Sequence, residues 1–304
     1  MKPLKLGTRK SPLALWQASF IKKKLESYNH KVELVEISSK GEKNLVKPLY
    51  EMGIQGIFTK ELDTALVNET IDIAVHSLKD VPTILAKGLK LVSVPERGDD
   101  KDLLVYKDLN PFSHPTKVFT IATSSLRRKA QWLNMFPSHK VIPIRGNVNN
   151  RLKKFEKDKG LNGALFASVG LERIDLTPPN SVKLDNVITA PGQGALGLLC
   201  RKDDISTIEI CQKINSKTAF ISTFIERQFL HRLQGGCTMP IGAYAFEDTN
   251  KKWVIKGFIL SLDGKNEAKV QLSSKNWKSL GKQAAENLLK SGGQKIHRGI
   301  LSSK

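Results

Sequence analysis

The sequence lacks most features that would place it outside the cytoplasm. Its 304 residues include only three cysteines, Cys200, Cys211 and Cys237, and no Cys-x-x-Cys pair. An odd number at these spacings favours neither a disulfide framework nor a zinc site, and it fits a reducing compartment. No apolar run approaches membrane-spanning length, and the charged residues 1–9 do not resemble a signal peptide. We therefore expect a soluble, cytoplasmic protein without a bound metal.

Acidic residues are also scarce, because 29 of them face 49 lysines and arginines and leave a net charge of +20. Such an excess is compatible with nucleic acid, an anionic membrane or small acidic substrates as partners. It is equally compatible with a lysine-rich coding bias that has no functional meaning. The length suggests two or three domains, each able to bury its own core.

Short apolar runs alternate with amphipathic stretches, which predicts α/β units. The spacing predicts strands at residues 4–7, 32–37, 71–75, 89–94, 118–122, 140–144, 163–167, 241–246, 253–260 and 269–273. It predicts a helix that begins behind Ser11, and a second that Ser124 or Ser125 caps and that runs through Trp132. Further helices are predicted over residues 60–67, 147–157, 219–233 and 277–289. Residues 95–101, Pro-Glu-Arg-Gly-Asp-Asp-Lys, predict a hinge between two α/β series. The last part, with a strand pair joined around Asp263-Gly264, predicts a small α+β domain.

Three predicted junctions between a strand and a helix carry arginine. They contain Arg9, then Arg127 with Arg128, and then Arg145 with Arg151 one turn later. A helix N-terminus is partially positive, so a cation in the first turn costs a few tenths to about 1 kcal/mol. A bound anion would compensate, because guanidinium groups and free backbone N–H groups would both donate to it. The alternative is that single arginines face solvent or pair with a nearby acid. Because ligands collect at strand ends in open α/β sheets, we predict a ligand with several negative groups.

Asp80 lies beside Lys79 and directly before Val-Pro, where the chain must leave any helix. Its carboxylate is a candidate for stabilising a cation or moving protons. The alternative is a turn-forming aspartate that caps its own backbone. His76, which follows an apolar strand, is more often a packed residue than a catalyst in such a position.

Cys237 follows two glycines in the run Leu-Gln-Gly-Gly-Cys-Thr-Met-Pro. An exposed loop cysteine is a candidate nucleophile, although most cysteines are small core residues. Cys200 and Cys211 fall on apolar-periodic stretches and are predicted to lie in the core.

The run 192–197 matches G-x-G-x-x-G, but it lies late in the chain behind a proline, and no strand ending in an acid follows at the required distance. We do not predict dinucleotide binding.

Together these segments resemble the porphobilinogen deaminase family, also called hydroxymethylbilane synthase, of tetrapyrrole and heme biosynthesis. The matching runs are residues 8–18, 72–82, 123–128, 145–148, 191–197 and 233–242. They are spread in order over nearly the whole chain, so the joint match is far more specific than any one of its parts.

The resemblance implies an α/β fold with two periplasmic-binding-protein-like lobes, each with a mixed sheet, and a small α+β C-terminal domain. The first lobe would comprise residues 1–95 with 195–212, and the second residues 101–190. The C-terminal domain, residues 216–304, would carry the cofactor cysteine. The family suggests a monomer.

The implied activity is that of an ammonia-releasing transferase. Four porphobilinogen units would be joined head to tail on a covalent dipyrromethane, each with loss of ammonia, before water releases a linear tetrapyrrole. The resemblance places the dipyrromethane cofactor on Cys237, through a thioether to the sulfur. The implied partners are porphobilinogen and the growing pyrrole chain, without nucleic acid or a membrane.

The resemblance also assigns roles to individual residues. Asp80 matches the family's catalytic aspartate, which hydrogen-bonds pyrrole nitrogens and stabilises the cation formed by deamination. Cofactor binding is implied for Ser77, Lys79, Ser125, Arg127, Arg128, Arg145 and Gly146. Substrate binding is implied for Arg9, Ser11, Gln17, Arg145, Arg151 and Arg173. Since every pyrrole carries an acetate and a propionate, such a ligand would explain the arginines at the helix starts.

The sequence departs from the family pattern at three positions. Gln55 stands where the family usually has the lysine of a Gly-Gly-Lys-Gly run, and Glu51 replaces a second lysine found in some members. Gln234 replaces a glutamate that is common before Gly-Gly-Cys. We expect altered contacts to carboxylates in the loop around residues 51–58, whereas the aspartate, the cysteine and the main arginines are all present.

Three other functions compete with the transferase. A nucleic-acid or polyanion binder would explain the charge, but no binding motif is present, and the arginines do not interleave with aromatic residues. A solute-binding protein with the same two-lobe fold would need a secretion signal. An inactive relative of the deaminases is the third alternative.

Overall fold

The computed structural model describes residues 2–38, 59–236 and 239–302. The strands are β1 Leu4–Thr8, β2 Val32–Glu36, β3 Ile73–Ser77, β4 Leu89–Ser93, β5 Asp102–Tyr106, β6 Thr120–Ala122, β7 Lys140–Ile142, β8 Gly163–Ala167, β9 Ser181–Leu184, β10 Leu196–Arg201, β11 Ile241–Glu247, β12 Trp253–Leu260 and β13 Glu267–Ser274. The helices are α1 Pro12–Glu26, α2 Lys60–Val67, α3 Leu126–Met135, α4 Val148–Lys157, α5 Ser168–Glu172, α6 Ile205–Gln212, α7 Lys217–Arg232, α8 Leu280–Leu288 and α9 Gln294–Ser302. Short 3-10 turns lie at Leu78–Asp80, Pro111–Ser113 and Trp277–Ser279, and a π turn at Leu289–Gly293.

The first sheet has the strand order β2-β1-β3-β10-β4. Strand β1 is parallel to β2 and β3, whereas β10 runs antiparallel to both β3 and β4. Because β1 and β3 are parallel, the segments that follow them, which carry Arg9 and Asp80, leave the sheet at the same edge. Strand β10 enters at that edge, since Leu196 pairs with Ser77. The late segment of the chain therefore borders the turn that carries Asp80.

The second sheet has the strand order β7-β6-β8-β5-β9. Strand β6 is parallel to β7 and β8, so the starts of α3, α4 and α5 lie along one edge of this sheet. Strand β5 is antiparallel to β8, and Asp102 at its beginning pairs with Ala167 at the end of β8. An acidic residue from β5 thus lies at the edge where the helices begin.

The third sheet is antiparallel, with the order β11-β12-β13. Helix α7 packs closely on β12, because a side chain at Gly257 would lie 2.5 Å from the Phe229 ring. The turn between β12 and β13 contains Gly264 with φ of 76°, in the left-handed region that glycine adopts without strain. The two mixed sheets and the separate α+β part confirm the predicted fold class.

The described chain clusters into two compact units. Residues 2–38, 59–99 and 192–221 form the first, and residues 100–191, 222–236 and 239–302 form the second. The boundary between residues 99 and 100 lies inside the segment predicted as a hinge. The second and third sheets fall in one unit, and the division into three domains at the predicted boundaries stays a prediction.

Within the part of the chain that the structure describes, no helix has both the length and the apolar character needed to cross a bilayer. Among the same residues, no group of three or more His, Cys, Asp or Glu side chains is arranged to hold a metal ion.

Cys200 and Cys211 are fully buried in the core of the first unit, with their sulfur atoms 3.8 Å apart. Their prediction as core residues is confirmed.

His76 is also packed rather than exposed, with 5% of its surface accessible. Burial, and secondarily the positive charge of Arg9, lowers the pKa of His76 to about 3. The imidazole is therefore neutral in the folded protein at physiological pH.

We expect His76 to make the protein less stable in mild acid. An unfolded histidine takes up a proton near pH 6.5, whereas folded His76 resists protonation until about pH 3, so acidification favours unfolding. Between pH 7.5 and pH 5 the free energy of unfolding should fall by roughly 2 kcal/mol more in the wild type than in His76→Asn. Urea unfolding at the two pH values measures this difference. Equal pH dependence in His76→Asn and the wild type would contradict the assignment.

Candidate active site

Strand β3 leads directly into the Leu78–Asp80 turn. Leu78 is fully buried, and its N–H donates to the Ala195 carbonyl at 2.9 Å, so the turn is attached to the start of β10. Val81 is extended, with φ of −81° and ψ of 123°, as expected for a residue before proline. The structure therefore ends the turn at Asp80, as predicted, and leaves Lys79 and Asp80 partly exposed on a buried base.

The start of α1 lies at the same edge of the first sheet. Ser11 caps the helix, because its side chain accepts from the Ala14 N–H at 3.4 Å, and the first turn contains no acid. Gln17, one turn later, is buried and donates its Nε2 to Ser77 Oγ at 2.8 Å. Two residues assigned by the sequence, Gln17 and Ser77, are thus brought into direct contact.

The start of α3 carries a buried cluster of three charged residues. Arg127 donates Nη1 and Nη2 to the two carboxylate oxygens of Asp102 at 2.7 and 3.1 Å. Arg128 donates Nε to the same carboxylate at 2.9 Å and also approaches it with Nη2 at 2.8 Å. The exposed fractions of the three side chains are 6%, 7% and 0% for Arg127, Arg128 and Asp102.

This cluster holds two guanidinium groups against one carboxylate. Burial lowers the pKa of Arg128, while the carboxylate of Asp102 opposes that shift, and a guanidinium keeps its proton in proteins. The three residues therefore retain one positive charge in excess. Arg127 and Arg128 thus pair with a nearby acid, which the sequence left open as the alternative to a bound anion. The bound anion itself stays a prediction.

The start of α4 presents a further arginine. Asn147 caps the helix by accepting from the Asn150 N–H at 2.9 Å, and Gly146 has φ of 119°, which favours glycine. The Arg145 carbonyl accepts from Lys154 Nζ at 3.0 Å, which fixes its backbone. Its side-chain Nε is buried and has no hydrogen-bond partner among the described residues. The first turn of α4, like that of α3, contains no acid.

Two more arginines of the second unit lie near α5. The guanidinium of Arg151 lies over the ring of Phe166, 5.6 Å from its centroid. Burial lowers the pKa of Arg173 to about 10, although the neighbouring Glu172 acts in the opposite direction. Both side chains are half-buried.

The residues assigned from the sequence are divided between the two units. The first contains Arg9, Ser11, Gln17, Ser77, Lys79 and Asp80. The second contains Ser125, Arg127, Arg128, Arg145, Gly146, Arg151 and Arg173. Cys237, Glu51 and Gln55 lie outside the described residues. The roles of all these residues stay predictions.

Sequence reasoning missed Asp102 and Gln193. Asp102 opens the apolar run of β5, a strand too short for its apolar spacing to predict, and the one local signal is its position directly after the predicted hinge. Gln193 lies inside the glycine-rich run, which matches the family as a whole but gives this residue no role of its own. It is fully buried and accepts from Lys79 Nζ at 3.3 Å.

Comparison with known proteins identifies the family. A family profile described as porphobilinogen deaminase, dipyromethane cofactor binding domain, matches residues 4–209, and the porphobilinogen deaminase C-terminal domain matches residues 220–290. The porphobilinogen deaminase of Trichlorobacter lovleyi is 40% identical over 301 residues, which cover 97% of this chain and 96% of the relative. The porphobilinogen deaminase of Syntrophotalea carbinolica is 38% identical over 299 residues, which cover 96% of this chain and 94% of the relative.

A solved structure of a periplasmic binding protein from Salmonella typhimurium shares 11% identity, with a TM-score of 0.43 over 70% of this chain and 92% of that chain. The sheets and the helix starts together define an α/β protein in which arginine side chains lie at the carboxyl ends of parallel strands.

The chain belongs to the porphobilinogen deaminase family, as the resemblance of its motifs predicts.

Asp102→Asn should destabilise the protein by about 3–5 kcal/mol, because it leaves two buried guanidinium groups without their carboxylate. Chemical denaturation measures the change in the free energy of unfolding. Asp185→Asn is the matched control, since it breaks an ion pair with Lys101 in which the aspartate is 79% exposed. That control should cost less than about 1 kcal/mol. Equal effects of the two substitutions would show that the buried cluster does not hold α3 to β5.

Proposed function

We propose that this chain joins four porphobilinogen units head to tail on a covalent dipyrromethane, releasing ammonia at each addition and finally a linear tetrapyrrole. The observation that carries the proposal is the buried excess of positive charge at the start of α3, in a chain that belongs to the deaminase family over nearly its whole length. A ligand with two carboxylates on every ring is the kind of partner that such an excess requires.

The described residues fit a dipyrromethane. One excess charge is buried at Arg127 and Arg128, and the buried Nε of Arg145 has no partner among the described residues. Guanidinium, ammonium and hydroxyl donors suit carboxylates, and the protonated guanidinium and ammonium groups have no lone pair to offer a metal. In this proposal the cofactor is attached to Cys237 and bound by Ser77, Lys79, Ser125, Arg127, Arg128, Arg145 and Gly146. When bound, the dipyrromethane supplies the pyrrole carbon to which the first substrate unit is joined.

Asp80 is the proposed catalytic residue. Its carboxylate accepts hydrogen bonds from pyrrole N–H groups and stabilises the positive charge that develops on the substrate as ammonia departs. The buried Leu78 and the hydrogen bond from its N–H to Ala195 give the turn a fixed base, so the Asp80 carboxylate is held in place before the substrate arrives. The ammonium group of the adjacent Lys79 is proposed to bind a carboxylate of the ligand close to Asp80.

The remaining arginines are proposed to receive the acetate and propionate groups of the substrate. A guanidinium group binds a carboxylate through two parallel hydrogen bonds, which fixes the orientation as well as the charge. The residues in this role are Arg9, Ser11, Gln17, Arg145, Arg151 and Arg173. The bond between Gln17 and Ser77 joins the first turns of α1 to the end of β3, so both elements present their polar groups from one support.

We place this activity in the cytoplasm and propose that the chain acts as a monomer on porphobilinogen, without nucleic acid or a membrane. Attachment of the cofactor needs Cys237 as a free thiol, because the thiolate is the nucleophile that forms a thioether. A reducing compartment preserves that thiol.

Intact-mass measurement tests the tether. The purified wild-type chain should be heavier than its sequence by the mass of two linked pyrroles, and Cys237→Ala should lose this excess. Cys200→Ala and Cys211→Ala are matched controls, because both thiols are buried in the core of the first unit and should leave the excess in place. An active wild-type chain with the bare sequence mass would contradict the covalent cofactor.

Asp80→Asn should keep the fold and reduce the turnover of porphobilinogen by at least roughly 100-fold, the range in which a positioned acid or base contributes. The substitution preserves shape and removes the negative charge that stabilises the developing cation. Asp203→Asn, on an exposed turn of the first unit, should retain wild-type turnover. Steady-state kinetics and circular dichroism check both variants, and near-normal turnover in Asp80→Asn would show that another residue does this chemistry.

A further inference from the structure

The C-terminal helix α9 lies beyond the residues that the family profile matches. The profile of the C-terminal domain ends at residue 290, whereas α9 comprises Gln294–Ser302. Gly292, with φ of 102°, turns the chain out of the path of α8 and towards α9. Ile300 of this helix is buried, and α9 packs against β12 in the second unit. The motif resemblance gives no residue of this helix a role.

Helix α7 ends in a turn that leads towards Cys237. Gln234 has φ of 49°, in the left-handed region, and its N–H donates to the His231 carbonyl at 2.9 Å. The N–H of Gly235 donates to the Leu230 carbonyl at 3.0 Å. These two hydrogen bonds form a Schellman motif, in which the last carbonyl groups of a helix accept from the residues that follow it. The chain therefore leaves α7 in a defined direction shortly before Cys237.

The two hydrogen bonds of this motif do not use the Leu233 carbonyl, which is one of the groups that a helix end leaves without an intrahelical partner. His297 of α9 contacts it, with Nε2 2.8 Å from the Leu233 oxygen. Because a carbonyl oxygen only accepts, Nε2 carries the proton and donates it. Leu233 is 1% exposed, so its carbonyl would lose a hydrogen bond that water replaces poorly if His297 were absent. The bond ties the end of α7 to the C-terminal helix.

Close packing holds the same segment from a second side. A side chain at Gly235 would lie 2.7 Å from the side chains of both Leu230 and Ile241, so glycine is needed there. The N–H of Met239 donates to the Gly236 carbonyl at 3.3 Å. Residues 233–236, which directly precede Cys237, are thus held by α7, by the residues around the start of β11 and by His297.

We propose that His297 is a positioning residue, whose imidazole N–H holds the Leu233 carbonyl and so fixes the segment from which Cys237 presents its dipyrromethane. The inference rests on the proposed function, in which that cofactor supplies the carbon to which the first substrate unit is joined. A displacement of about 1 Å in a reacting group can cost roughly 100-fold in rate. In this role His297 acts through the main chain of Leu233 and does not itself contact the ligand.

Two substitutions separate the hydrogen bond from the packing of the ring. His297→Phe keeps an aromatic ring and has no N–H, whereas His297→Gln keeps a donor and has no ring. In the holoenzyme, His297→Phe should lower kcat for porphobilinogen about 5-fold and change KM less than about 2-fold, because the contacts to the substrate are retained. His297→Gln should recover at least roughly half of the wild-type kcat. A wild-type kcat in His297→Phe, or a larger loss in His297→Gln, would overturn the proposal.

His114→Phe is the matched control for these measurements. His114 lies in the same unit and is also partly exposed, and its Nδ1 is 3.1 Å from the Asn110 carbonyl oxygen. The control therefore loses the same kind of contact at the Pro111–Ser113 turn and should keep the wild-type kcat. Equal losses of kcat in His114→Phe and His297→Phe would show a general effect on the fold and would overturn the positioning role.

Hydrogen–deuterium exchange gives a readout that does not depend on turnover. The amides of Leu233, Gln234 and Gly235 donate to carbonyl groups of α7, so they exchange when the end of this helix opens. His297→Phe should speed exchange in peptides that cover residues 230–236 about 5-fold, the effect of one lost hydrogen bond, whereas His297→Gln should not. Unchanged exchange in His297→Phe would overturn the inference. Faster exchange in this variant, together with a wild-type chain that consumes no porphobilinogen, would instead refute the proposed function.

Discussion

The structure around the candidate site depends on how its buried cations are partnered. A guanidinium group cannot leave water without hydrogen bonds and a negative charge, and Arg127 and Arg128 obtain both from the single carboxylate of Asp102. That carboxylate begins β5, and β5 is antiparallel to β8. The charge cluster therefore joins the start of α3 to the middle of the second sheet. Within this cluster two guanidinium groups face one carboxylate, so the three side chains together carry one positive charge in excess.

The first unit partners its polar groups with neutral amides. Gln193 accepts from Lys79, and Gln17 donates to Ser77, so amide side chains orient the polar groups beside Asp80. The second unit, in contrast, orients its buried guanidinium groups with one shared carboxylate. The scarcity of acidic residues in the composition agrees with this arrangement, although it does not by itself identify the ligand.

Local signals predicted those parts of the fold that depend on neighbouring residues. Ser11 caps α1 as expected, and Ser125, one of two candidates, caps α3, because an N-cap hydrogen bond spans only three residues. Asn147, expected as the first residue of α4, is its N-cap. The bounds of α2, β8 and β12 also agree with the apolar spacing. Strands β5 and β9 and helix α6 were not identified, since short apolar runs carry little periodicity. The pairing of β10 with β3 and β4 depends on contacts between distant segments, which spacing does not encode.

The sequence alone determined the family, through motifs in order along the chain, and it determined that Asp80 ends a turn before proline and that arginines occupy the helix starts. Only the tertiary structure decided the partners of these groups. Asp102 lies 25 residues from Arg127, and Gln193 lies 114 residues from Lys79, so neither pair has a local signal. The physical reason is that a cap or a turn is satisfied by adjacent residues, whereas a buried charge is satisfied by whichever segment the strand order brings beside it.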